Sequence, residues 1–175
     1  MTTRPKSSAS TTRPEGVAGG GQEVTEPGPW RSLIASLAAD AEFAAGASAA
    51  QIAATEEGIG VPLPDDLRSL LLESDGVQAD FGVDVIWSCA ELAKQNIEFR
   101  SFEDFRELYM PFDNLLFIGV DGGGDQFAYA IAADGRIPNK DIYRWDHETD
   151  GRVWFSGRLT QYLERRLSPS YYEGG

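Results

Sequence analysis

Two short stretches concentrate the residue types that do chemistry. In Asp121-Gly122-Gly123-Gly124-Asp125, two carboxylates flank three glycines. A phosphate-cradling loop needs G-x-x-x-x-G-K-[ST], and neither the Lys nor the Ser/Thr is present. A dinucleotide loop leads from strand into helix, whereas Gln126 to Ile131 alternates like a second strand. Asp121 and Asp125 have the donors for a cation but not the spacing of a Ca²⁺ loop. The stretch therefore reads as a glycine turn between strands.

The second stretch is Asp146-His147-Glu148, followed by Asp150. It is the only place where an imidazole meets carboxylates, because His147 is the only histidine. An imidazole titrates near neutrality and suits general acid–base work. No nucleophile motif accompanies it, since Ser156-Gly157 lacks the G-x-S-x-G pattern of a nucleophile elbow. The expected role is a polar hairpin tip or binding loop in which His147 gains an ion pair, with no catalytic residues assigned.

A third feature is a run of charge. From Glu56 to Asp84 the chain carries Glu56, Glu57, Asp65, Asp66, Glu73, Asp75, Asp80 and Asp84 against Arg68 alone. A solvated helix surface and a face for a basic partner are both open; the local density of charge tilts toward the second. Trp87, Trp145 and Trp154 fall in β-rich segments and are expected in the core. Cys89, the only cysteine, is expected to be a small buried hydrophobe.

These residues need elements to position them. Trp30, Leu33, Ile34, Leu37 and Ala41 share one helical face, which predicts a helix from Trp30 to about Ala45. Ser48 with Gln51 fits a capping box for a second helix ending at Gly58. Pro64-Asp65-Asp66 opens a third, with Leu67, Leu70, Leu71 and Leu72 on its buried face and Asp75-Gly76 as its stop. Val83 to Trp87 reads as a strand, followed by a short helix from Glu91 to Gln95. Leu115–Val120, Gln126–Ala132, Asp141–Trp145 and Arg152–Phe155 read as further strands, joined by glycine turns. Leu159, Tyr162, Leu163 and Leu167 line a closing helix. The expected fold class is α+β: N-terminal helices, an antiparallel β-meander of four to five strands and a C-terminal helix.

Composition narrows the function. The chain has 175 residues, 42% of them hydrophobic, and a formal net charge of −13. That balance argues against direct contact with nucleic acid or an anionic membrane and for a partner with a basic face. A single cysteine excludes an intramolecular disulfide or thiolate metal cluster. No apolar run of signal-peptide or membrane-span type occurs, so a cytoplasmic location is expected. Residues 1–29 lack large apolar side chains and are expected to form a disordered tail, leaving 30–175 as one domain. Neither a cofactor nor a metal is called for.

Several motifs occur in the order of a known family. Ile52-x-x-x-Glu56-Glu57-Gly58-Ile59-Gly60-Val61-Pro62-Leu63-Pro64-Asp65-Asp66-Leu67-Arg68-x-x-Leu71-Leu72-x-x-x-Asp75-Gly76 resembles the N-terminal signature of the SUKH superfamily. Phe117-Ile118-Gly119-x-x-Gly122-Gly123-Gly124-Asp125-Gln126-Phe127 is similar to its strand–turn–strand. Ile142-Tyr143-x-Trp145-Asp146-His147-Glu148 resembles its next strand and hairpin, and Leu159-x-x-Tyr162-Leu163 its last helix. The resemblance spans about Ser48 to Leu167. It implies a non-catalytic α+β binding module similar to the immunity proteins of bacterial polymorphic toxin systems and to yeast cell-wall-synthesis regulators. A cognate toxin with a basic face, such as a nuclease, is then the implied partner. Two other readings stay open: a scaffold or regulatory module of the same fold, and a metal-dependent enzyme built on the carboxylate-rich loops. The candidate contact residues are Glu56, Glu57, Asp65, Asp66, Asp75, Asp80, Asp121, Asp125, Trp145, Asp146, His147 and Glu148.

Limited proteolysis checks the domain boundary. It is expected to trim the chain to a stable fragment beginning near Trp30. A melting temperature several degrees lower after deletion of residues 1–28 would show that the tail packs on the fold.

Overall fold

A carboxylate from elsewhere in the chain starts the first helix. The computed structural model describes residues 27–171; the remainder of the expected tail, residues 1–26, lies outside the described residues. Gly28 offers α1 (Pro29–Leu37) no side-chain cap. Glu73 supplies one: its Oε2 accepts from the backbone N–H groups of Trp30 at 2.9 Å and Arg31 at 3.0 Å. A negative charge is thereby set at the positive end of the helix. α1 stops at Leu37, short of the expected Ala45, because no large apolar side chain follows until Phe43. Glu42-Phe43 instead forms a short strand, β1, paired with Gln78 and Val77.

α2 (Ala49–Ile59) opens on the expected capping box. The Ser48 hydroxyl accepts from Gln51 N–H at 3.2 Å, and Gln51 Oε1 accepts from Ser48 N–H at 2.9 Å. The helix runs through Gly58 and ends at Gly60, whose φ of 76° is the left-handed stop that Gly58 was expected to supply. α3 (Asp65–Glu73) starts just after Pro64 and buries Leu67, Leu70 and Leu71, while Leu72 faces outward. β2 (Val77–Ala79) and β3 (Val83–Ile86) form a hairpin. α4 (Cys89–Ser101) is much longer than expected; Ser88 caps it, and Asp75 Oδ1 accepts from Cys89 N–H at 2.6 Å. A further helix, α5 (Glu103–Leu108), was not foreseen. β4 (Leu115–Val120), β5 (Gln126–Ala130), β6 (Ile142–Trp145), β7 (Arg152–Ser156) and α6 (Leu159–Arg166) complete the order, with a 3₁₀ turn at Pro169–Tyr171.

The strands form two antiparallel sheets, β1-β2-β3 and β4-β5-β6-β7. The second is the expected meander, and the architecture is α+β with a closing C-terminal helix. Trp87 N–H donates to Ile118 C=O at 2.8 Å, joining the sheets where β3 meets β4. That approach needs Gly119: a Cβ there would lie 2.1 Å from the Val85 carbonyl oxygen. The fully buried Asn96 fastens α4 to the same strand. Its Nδ2 donates to the carbonyls of Leu92 and Phe117, and its Oδ1 accepts from Phe117 N–H, all at 2.9 Å. Register in β4 shifts between Phe117 and Gly119, so the amide side chain serves a backbone that departs from regular pairing.

Replacing Asn96 by Leu orphans both Phe117 backbone groups in the core. At about 1–3 kcal/mol per buried unsatisfied group, a stability loss of roughly 2–6 kcal/mol is expected in urea unfolding. A loss near zero would show that the site relaxes without the amide.

Candidate functional site

The β4–β5 and β6–β7 turns lie at the same end of the meander, and this brings the two chemistry-bearing stretches together. Asp121 folds into its own loop: Oδ1 accepts from Gly123 N–H at 2.7 Å and from Gly124 and Asp125 N–H at 3.1 Å. Gly122 and Gly124 hold φ values of 90° and 118°, so the glycines are required by backbone conformation. Gly124 also packs against the imidazole, where a Cβ would sit 2.7 Å from His147 Cε1.

Asp125 is the bridge between the turns. Its Oδ1 lies 2.9 Å from His147 Nδ1 and accepts from His147 N–H at 3.2 Å, while Arg144 Nε stands 3.6 Å from Oδ2. The hydrogen bond to Asp125 raises the His147 pKa, helped by the charges of Asp125, Glu148 and Asp146. Asp146 Oδ1 accepts from Glu148 N–H at 2.9 Å and Thr149 N–H at 3.0 Å. The Thr149 N–H, foremost, holds the Asp146 carboxyl below its usual pKa. Asp150 anchors the hairpin from beneath: Trp145 Nε1 donates to Oδ1 at 2.8 Å, and Met110 N–H to Oδ2 at 2.7 Å. Tyr109 O–H donates to the His147 carbonyl at 2.9 Å.

Of the candidate residues, Asp121, Asp125, Asp146, His147 and Glu148 thus share one surface, with the buried Trp145 supporting it. The acidic run does not join them as a single face. Glu56 pairs with Arg68 and accepts from Leu63 N–H. Asp66 lies 3.7 Å from Lys140, Asp75 caps α4, and Asp80 binds Arg166 at 2.7 Å. Glu57 and Asp65 are exposed.

Trp87 and Trp145 are core residues, but Trp154 is not: it is 48% exposed, donates to Asp141 Oδ1 and carries Arg165 over its ring. Cys89 is buried as expected, and burial beside Asp75 pushes its thiol up to about 11, which keeps it unreactive. Among the described residues, no group of three or more His, Cys, Asp or Glu side chains is placed to hold a metal ion. Exposed apolar residues escaped sequence reasoning altogether: Phe102, Leu108 and Met110 border α5. The signal was the spacing of Phe99, Phe102, Phe105, Tyr109 and Phe112, an aromatic stripe at helical intervals.

The fold and its loop cluster define an α+β module in which most of the loop carboxylates are engaged in holding the turns. Residues 46–165 match the SMI1 / KNR4 family (SUKH-1), and the chain belongs to that family. The match covers nearly the span over which the motifs carried the resemblance. At family level this is an immunity-like or SMI1-like module. No curated protein matches the chain. None of the described helices is long and apolar enough to cross a membrane.

The Asp125–His147 pair makes a signed prediction. A raised folded-state pKa means that its stabilisation is complete below the unfolded imidazole value near 6.5. It fades as pH rises through the folded value. In Asp125→Asn the His147 pKa, followed by NMR, is expected to fall back toward 6.5. An unchanged value would show that Asp125 does not control the imidazole.

Proposed function

We propose that the chain is an immunity-type module that neutralises a cognate protein toxin by direct contact, and that a nuclease is the toxin class its charge suits best. The observation carrying this reading is the preformed loop cluster on a chain of net charge −13. Loops already held by Asp121, Asp125 and Asp150 need little ordering on binding, which favours affinity. A nuclease must carry cationic groups for its phosphates, and an acidic surface can occupy them. Nucleic acid and membrane are not expected as direct partners, and the cytoplasm is the expected site of action. Catalysis by the chain itself is not part of the reading: His147 Nδ1 is engaged by Asp125, and no serine or cysteine nucleophile accompanies it.

The test uses a toxin domain encoded beside this gene. A stoichiometric amount of the chain is expected to abolish the toxin's activity, with association slowing as salt rises. His147→Ala is expected to keep the fold and to remain free of hydrolytic activity like the parent. A hydrolytic activity of the chain that disappears with His147→Ala would overturn the reading. So would a neighbouring toxin that ignores the chain, and a scaffold or regulatory role in envelope growth would then be favoured.

A further inference from the structure

α5 leaves apolar surface in water that the fold itself does not use. The helix buries none of its residues, and around it Phe102, Leu108 and Met110 are 45%, 69% and 55% exposed. Between α4, α5 and residues 109–113 lies a cleft of about 270 Å³ lined by Phe99, Phe105, Tyr109, Met110, Pro111 and Phe112, with the charged Arg100, Arg106 and Asp113 also in its wall. Its rings are locked together: Phe105 is 5.3 Å from Phe99 and 5.0 Å from Phe102, and Phe112 is 5.3 Å from Phe99. Its far wall is tied to the β6–β7 hairpin. Arg152 Nη2 donates to Met110 C=O at 2.7 Å, and its guanidinium carbon lies 5.2 Å from the centre of the Phe112 ring. A rigid recess walled mainly by aromatic rings seats one large side chain as an anchor.

The rim says what kind of molecule brings that side chain. Glu98, Glu103, Asp104, Glu107 and Asp113 are all exposed, against two guanidinia in the same segment. Arg100 is already committed, donating to the carbonyls of Ile59 and Leu115, both at 2.9 Å. It keeps its charge beside Asp113, so the segment carries five carboxylates against two guanidinia and stays net negative. Such a rim repels an anionic bilayer, and it repels the identical rim of a second copy.

We propose that α5 and residues 109–113 form the docking surface for a basic protein, with one aromatic or long aliphatic side chain of that protein seated among Phe99, Phe105 and Phe112. The inference rests on the reading of the chain as an acidic protein-binding module and adds where the contact is made and with what. The surface borders the loop cluster through Tyr109 and Met110, so the two form one continuous face.

Isotope-labelled full-length chain, titrated with a Lys-rich peptide bearing one central Trp and with the same peptide bearing Ala instead, tests this by NMR. The Trp peptide is expected to shift the amides of residues 99–113 and to bind at least about tenfold more tightly than the Ala peptide. Met110→Ser, at an exposed position that lines the cleft, is expected to keep the parent melting temperature and to lose that preference, and Leu108→Lys to weaken both peptides alike. Equal binding of the two peptides, shifts confined to Glu57 and Asp65, or no shifts at millimolar peptide would overturn the proposal. A dimer in solution that Leu108→Lys dissolves would overturn it too, by assigning the surface to a second copy. None of these outcomes decides whether the chain neutralises a toxin, which the inhibition assay measures separately.

Discussion

Arg166 is the group on which the arrangement of the loops depends. Its side chain is fully buried, and a buried guanidinium costs several kcal/mol unless it is paired and hydrogen-bonded. Nη1 donates to Asp80 Oδ2 at 2.7 Å, and Nη2 donates to the Asp121 carbonyl at 3.1 Å. The Tyr171 ring lies 4.9 Å from its Cζ. One cation from α6 therefore fastens the β2–β3 turn, the start of the glycine loop and the 3₁₀ turn after α6. The β2–β3 turn it holds contains Asp80 and Phe81 at φ values of 51° and 64°. Non-glycine residues keep such conformations only where the surroundings over-determine them, and the ion pair with the buried Arg166 supplies that constraint at Asp80.

From Arg166 the order propagates outward by charged hydrogen bonds. The Asp121 carbonyl is held by Arg166, and its carboxylate closes the glycine loop, which places Asp125. Asp125 then sets His147 through both the imidazole and the backbone N–H. Asp150, at a φ of 56°, ties the same hairpin to Met110 and Trp145. The acids that look like free surface charge in the sequence are thus mostly structural acceptors. Charge-assisted bonds of this type are roughly twice as strong as neutral ones, and they give rigid loops without large side chains.

How much of this was legible follows from the range of each interaction. The capping box at Ser48 and Gln51, the acids opening α3 and the Asp-Gly turns are local, and the sequence displays them. Gly58 and Gly60 are two residues apart, and only tertiary packing decides which becomes the stop. β1 and β2 are too short to show a period; they exist because Glu42-Phe43 meets Val77-Gln78 across the chain. The acidic run displays sign and density but not partners, so Asp80 and Asp75 look the same as Asp65 until Arg166 and the start of α4 are in place. Leu72 and Trp154 look like core by type, and their exposure follows from which face each element turns inward.

The division between charge and apolar contact in the face around α5 has a kinetic sense. Exposed carboxylates at Glu103, Asp104 and Glu107 act over about 8 Å in physiological salt, so they raise the encounter rate with a basic protein more than they hold it. Holding is set chiefly by the dissociation rate, which depends on buried anchors. The cleft between α4 and α5 offers such a seat, and Asp150 and Arg152 fix its wall from the hairpin side. An acidic rim without the cleft would attract many basic proteins and retain few. With the cleft beside it, retention depends on whether the arriving surface also carries a side chain that fits, and that requirement separates one cognate partner from basic proteins in general.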